Sequence, residues 1–102
     1  MSNAVEAYLL GGGSISFAGT AYLEDLRTPL KHAANLREGD IVSRMHAKAY
    51  PGRVTSVNVT PKARLTVRYA DGARSTVKPV ELYNVFTEED LDAALALKDE
   101  ES

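Results

Sequence analysis

The stretch that decides the fold is residues 64–78, which read RLTVRYADGARSTVK. Before the turn at Asp71-Gly72, apolar residues alternate with polar ones, which is the period of a half-buried β-strand. The alternation resumes after Ala73. The stretch therefore predicts a β-hairpin with one apolar face and one polar face.

The length of the turn decides which residues of this hairpin face each other. A two-residue loop would put apolar side chains on both faces. A three-residue loop, Ala70-Asp71-Gly72 with Gly72 at positive φ, keeps one face apolar. We therefore predict the three-residue loop. It places the following residues opposite one another: Leu65 and Val77, Val67 and Ser75, Arg68 and Arg74, Thr66 and Thr76, Arg64 and Lys78.

Outward from the hairpin, short apolar segments bounded by turn residues predict more strands. Residues 36–42 read as a turn, with Gly39 free to take positive φ, that leads into a strand. A second strand is predicted at Arg53–Thr60, and a closing turn and strand at Val80–Phe86. Several short strands with turns roughly every 8–12 residues are typical of a small sandwich or barrel.

Both ends of the chain carry helical patterns. The predicted N-terminal elements are a helix in residues 1–10 ended by Gly11-Gly12-Gly13, a strand at Ser14–Ala18, a helix at Ala21–Arg27 capped by Thr20, and a helix at Pro29–Leu36 capped by Thr28. Because its glycines are costly to order, this arm is expected either to be disordered or to settle on a partner. Thr87 caps an acidic C-terminal helix whose stripe is Leu91, Ala94 and Leu95.

These patterns divide the chain of 102 residues into an arm (1–35), a mainly β barrel (36–86) and an acidic helix and tail (87–102). The chain has no cysteine, which excludes disulfides, zinc–thiolate sites and thiol nucleophiles. It has no apolar run long enough to span a membrane and no basic leader before its first apolar residues. We therefore expect a cytoplasmic protein, or one within a virion if it belongs to a phage.

No pattern in the chain indicates catalysis, a cofactor or a metal. The two histidines, His32 and His46, do not have the spacing of a structural metal site. The segment Gly11-Gly12-Gly13-Ser14 lacks the lysine of a phosphate-binding loop. We predict a chain that is not an enzyme.

Charge is strongly segregated: residues 41–80 carry a net charge of +7 and residues 81–102 a net charge of −7. The predicted hairpin register places four cations on one exposed face, and two more extend the set. The candidate anion-binding residues are Arg64, Arg68, Arg74 and Lys78, with Arg53 and Lys62. Three interpretations remain open: a solvated face, an external partner (nucleic acid or an acidic protein surface), and an internal partner, the acidic helix at residues 88–99.

Four segments, LREGDIV, YPGRVTSV, LTVRYADG and VKPVEL, resemble SH3-like small barrels of the Tudor and KOW kind over residues 36–86. The resemblance implies an SH3-like fold. Tudor domains bind methylated lysine or arginine in an aromatic cage, for which Tyr50 and Tyr69 match two positions and Tyr83 or Phe86 could add a third. The chain has no tryptophan, so packing of these rings is the alternative. KOW-like barrels contact RNA or protein through basic loops.

The sequence thus predicts a binding module with a basic face for an anionic partner. One alternative is a connector or decoration protein of a larger assembly such as a phage particle, with oligomers formed through the arm. The other alternative is a reader of methylated lysine or arginine.

Overall fold

The computed structural model of the chain describes residues 3–44, 48 and 50–98. In chain order the elements are α1 (Asn3–Leu9), α2 (Phe17–Asp25), β1 (Leu30–His32), a 3₁₀ turn (Ala33–Asn35), β2 (Ile41–Ser43), β3 (Pro51–Val59), β4 (Leu65–Tyr69), β5 (Arg74–Val77), β6 (Leu82–Phe86) and α3 (Glu88–Ala96). The strands over these residues form one antiparallel sheet in the order β1-β6-β2-β3-β4-β5. This confirms a small, mainly β domain with N-terminal helical segments and a C-terminal helix. The sheet does not close into a barrel, so β1 and β5 are its edges.

The β4–β5 hairpin has the predicted three-residue loop. Leu65 lies opposite Val77 and Arg68 lies opposite Arg74. The amide of Tyr69 donates to the carbonyl of Ala73 at 2.9 Å, and Gly72 has a φ of +94°. Because a residue with a Cβ is strained at this φ, Gly72 is what allows the turn to keep the register.

The sheet separates two cores. The concave side encloses residues from both ends of the sheet, including Val42, Val54, Leu65, Val67, Tyr69, Val77 and Tyr83. The opposite side of β2 and β6 is covered by the helices and packs Ile41 and Phe86 against Val5, Leu9, Leu23, Leu91 and Ala94. The N-terminal arm therefore packs on its own chain through α1 and α2.

Two predicted N-terminal elements are wrong. Ser14–Ala18 is not a strand, since Ser16 accepts a hydrogen bond from the Gly19 amide at 3.0 Å and caps α2 in place of Thr20. Residues 29–36 are not an α-helix. Instead β1 pairs with β6, with the Val85 amide donating to the Pro29 carbonyl at 3.0 Å. Ladder bonds to a strand distant in sequence override the local helical pattern.

The C-terminal helix begins as predicted. The Thr87 hydroxyl accepts from the Asp90 amide and the Asp90 carboxylate accepts from the Thr87 amide, each at 3.0 Å. Leu91 and Ala94 are fully buried against the other helices. None of the helices in the described part of the chain has the length and apolar character needed to cross a membrane.

Two tyrosines lie inside the concave core. Burial raises the pKa of Tyr69, an effect that the neighbouring side chains of Ser75 and Tyr83 oppose. Burial also raises the pKa of Tyr83, and the neighbouring Tyr69 and Glu81 add to that rise. Both rings are therefore neutral phenols at neutral pH.

Gly19 lies where α2 crosses α3, and replacing it with alanine should loosen the helical layer. A Cβ at this position would overlap the carbonyl oxygen of Ala94 and Cγ2 of Ile15. We expect Gly19→Ala to lower the free energy of unfolding by about 1–3 kcal/mol, measured by urea denaturation. Glu24→Ala, at an exposed position of the same helix, is the control and should change stability little. Equal stability of the two variants would contradict the close helix crossing.

The buried tyrosines predict a loss of stability in alkali. Their folded pKa lies above the unfolded value of about 10. Their contribution is therefore complete below that pH and is lost as the pH rises toward the folded pKa. We expect Tyr83→Phe to reduce this alkaline loss in pH-dependent urea denaturation, whereas Tyr50→Phe at an exposed ring should leave it unchanged. An unaltered pH profile in Tyr83→Phe would contradict the burial of a neutral phenol.

Candidate functional site

Four cations lie together on the outer face of the β4–β5 hairpin, and we call them the basic face: Arg64, Arg68, Arg74 and Lys78. Arg68 and Arg74 are directly opposite one another, and the other two lie one step beyond the paired residues. All four side chains are exposed. Within residues 3–44, 48 and 50–98, none of them forms an ion pair. The structure therefore brings together four of the six predicted cations.

Neutral polar side chains accompany these cations. Thr66 and Thr76 face each other between the two ends of the basic face. The same side of the sheet continues onto β3, where Ser56 lies opposite Arg68 and Asn58 opposite Thr66. The surface thus combines positive charge with hydroxyl and amide groups that both donate and accept hydrogen bonds.

Folding of the hairpin does not require the basic face, and the repulsion among its cations lowers stability. Like charges placed opposite each other across strands are destabilising, by some tenths of a kcal/mol for each pair. The buried side of the hairpin is already apolar without them. A negatively charged partner would remove this repulsion, so the arrangement is suited to binding anionic groups.

Arg53 was predicted to extend the basic face, but it lies under the helices instead. Its guanidinium is paired with Glu6 at 2.7 Å and with Glu88 at 2.6 Å, and only 21% of its side chain is exposed. It connects the first turn of α1 and the first turn of α3 to β3. Lys62 lies exposed in the turn between β3 and β4, next to the basic face in sequence.

Within the described residues, the acidic helix does not neutralise the basic face. Helix α3 packs on α1 and α2 above β2 and β6, on the same side of the sheet as the basic face but away from β4 and β5. Among the residues that the structure describes, α3 forms one ion pair with a predicted cation, between Glu88 and Arg53. The predicted internal partner also included Asp99, which lies outside the described residues.

The three candidate cage tyrosines do not line one open pocket. Tyr69 and Tyr83 are 4% and 1% exposed and pack in the concave core, whereas Tyr50 is 58% exposed. Phe86, the other possible member, is buried under the helices. A cage must present several ring faces to one incoming ammonium group, and these rings cannot do so in this fold.

A cleft of about 630 Å³ lies where the N-terminal segment meets the sheet. Its walls include Tyr8, Phe17, Tyr50, Arg44 and Asp71. Arg44 holds this corner together, because it forms an ion pair with Asp71, donates to the Tyr50 carbonyl at 3.3 Å and lies 5.8 Å from the centre of the Tyr69 ring. The sequence did not point to this cleft.

One signal could have located part of the cleft. Asp71 is the sole acidic residue between residues 41 and 80, so an ion pair with one of the cations there could have been predicted. Neither Tyr8 nor Phe17 has any sequence signal, since both reach the cleft through the packing of the helices. Of the two histidines, His32 donates from Nδ1 to the Val80 carbonyl at 3.0 Å, and His46 lies outside the described residues.

Comparison with known families gives one informative result. A family model described as "UBE2O, ubiquitin binding SH3-C domain" matches residues 34–93, which is more than half of the chain. The matched region includes β2 to β6, the basic face and most of α3. Comparisons with curated proteins and with solved structures gave no match. This chain therefore belongs to the UBE2O SH3-C domain family, whose fold is SH3-like and whose description is that of a binding domain rather than an enzyme.

Proposed function

We propose that this chain is a non-catalytic module that binds ubiquitin, and that the basic face makes the contact. The observation that carries the proposal is the family match over residues 34–93, because the description of that family names ubiquitin binding. The same match contains all four cations of the basic face. The N-terminal half of the cleft lies outside it.

The geometry supports this face over the others. The outer side of β2 and β6 is occupied by the chain's own helices. The outer side of β4 and β5 presents four exposed cations among threonines that can bond to a carboxylate or a backbone carbonyl. A partner that places acidic side chains there would gain charge-assisted hydrogen bonds without displacing any ion pair seen in the described residues.

Charge alone would also attract nucleic acid, but the family description names a protein partner. Nor does that description mention a phage particle or a methylated side chain. Ubiquitin is therefore the proposed partner, and binding to nucleic acid is an outcome that an experiment can distinguish.

Reversal of two charges in the basic face should weaken binding to ubiquitin. We expect the double variant Arg68→Glu/Arg74→Glu to raise the Kd at least about tenfold, measured by isothermal titration calorimetry. Lys98→Glu is the control, since it reverses one charge at an exposed position at the far end of the helical layer and should leave the Kd nearly unchanged. Circular dichroism and thermal melting should show that both variants remain folded.

The dependence on salt separates the possible partners. Binding to ubiquitin should weaken as salt rises from low to physiological concentration, because exposed charges are screened. A DNA duplex, titrated in parallel, should bind more weakly than ubiquitin at physiological salt. Failure to bind ubiquitin at low salt would contradict the proposed partner. Equal affinities of the double variant and the wild-type chain would contradict the proposed face.

A further inference from the structure

The sheet has an open edge at β1 that the function proposed above does not use. The amide of Val85 donates to the Pro29 carbonyl at 3.0 Å and the amide of Ala33 donates to the Glu81 carbonyl at 2.8 Å. In an antiparallel ladder with the observed register, the residues between these bonded positions, Leu30 and His32, direct their N–H and C=O groups away from β6. No described residue accepts a hydrogen bond from the two outward N–H groups.

The same edge carries exposed apolar side chains. Leu30 and Leu82 lie on one face of the β1–β6 pair and are 57% and 47% exposed, and Val80, next to His32, is 69% exposed. We call these three residues the β1 patch. An apolar patch beside unpaired ladder groups is a surface that another strand can cover.

The opposite edge of the sheet differs in charge. By the same reasoning, β5 directs the backbone groups of Arg74 and Thr76 outward. A second β5 placed there would bring the cations of two basic faces together, which is unfavourable. At β1 the one charged side chain, Lys31, points to the other face and is paired with Asp40 at 3.2 Å. Charge therefore protects β5 against pairing with a copy of itself and leaves β1 open to it.

We propose that two copies of this chain associate through β1. The two strands run antiparallel about a two-fold axis at Lys31, so that Leu30 of each copy lies opposite His32 of the other. The His32 amide then donates to the Leu30 carbonyl of the other copy, once in each direction. The Leu30 amide donates to the second lone pair of the His32 carbonyl, whose first lone pair accepts within the 3₁₀ turn.

A second copy of the chain can pair with the outward N–H and C=O groups of Leu30 and His32, and no other molecule is needed. An edge with two outward residues is complementary to itself under a two-fold rotation, because each free donor meets an acceptor. The β1 patches of the two copies become neighbours across the new pairing and bury their leucines together. The two lysines at the axis each keep their own aspartate, which reduces the like-charge repulsion.

The backbone of His32 permits a selective test. Its φ of −68° is the value that a proline ring imposes, and its N–H does not bond to β6. His32→Pro therefore removes the proposed intermolecular donor without removing a ladder bond within the chain. His32→Ala loses the same side-chain contact with Val80 but keeps the donor, which makes it the matched control.

Sedimentation equilibrium over a range of concentrations should show the wild-type chain and His32→Ala shifting from one toward two chain masses. His32→Pro should raise the dissociation constant at least about tenfold, since two backbone hydrogen bonds are lost from each dimer. A wild-type chain that stays monomeric at millimolar concentration overturns the proposal and leaves the edge to a different partner. A His32→Pro variant that dimerises as strongly as His32→Ala also overturns it.

A second pair of variants tests the patch and does not depend on proline. Leu30→Glu places a charge at the edge and should weaken dimerisation. Leu10→Glu, at an equally exposed leucine at the end of α1, should not. Equal dimerisation of these two variants would place the contact elsewhere. Neither outcome bears on ubiquitin binding, which is proposed for the other end of the sheet.

Discussion

The register of the β4–β5 hairpin is the constraint on which the rest of the structure depends. The three-residue turn, with Gly72 at positive φ, directs Leu65, Val67 and Val77 into the concave core. A shift of one residue would place cations in that core and apolar side chains in water. The same turn therefore sets both the packing of the domain and the position of the basic face.

The outer side of the sheet is divided in two, because the helices cover β2 and β6 and leave β4 and β5 exposed. Arg53 is central to this division. It pairs with Glu6 and with Glu88, which lie far from it in sequence, and so connects α1 and α3 to β3. The close crossing at Gly19 then packs α2 on α3. With the helices held there, the outer side of β4 and β5 is left open, and its cations lack partners among the described residues.

Local features were predictable from the sequence, and long-range ones were not. The turn at Gly72 and the cap at Thr87 each depend on a few consecutive residues, and the structure confirms both. Strand β1 was predicted as helix, because its bonds to β6 come from residues about 50 positions later in the chain. The candidate site divides in the same way. The basic face follows from the hairpin register, whereas the positions of Arg53 and the candidate cage tyrosines depend on how distant elements pack.

The most direct test of this account is to map where ubiquitin touches the chain. Unlabelled ubiquitin would be titrated into the ¹⁵N-labelled protein and the amide shifts followed by NMR. The account predicts the largest changes at Thr66, Arg68, Arg74 and Thr76, and little change in α2 and α3. Changes confined to the cleft around Phe17 and Tyr50, with the basic face unaffected, would contradict it.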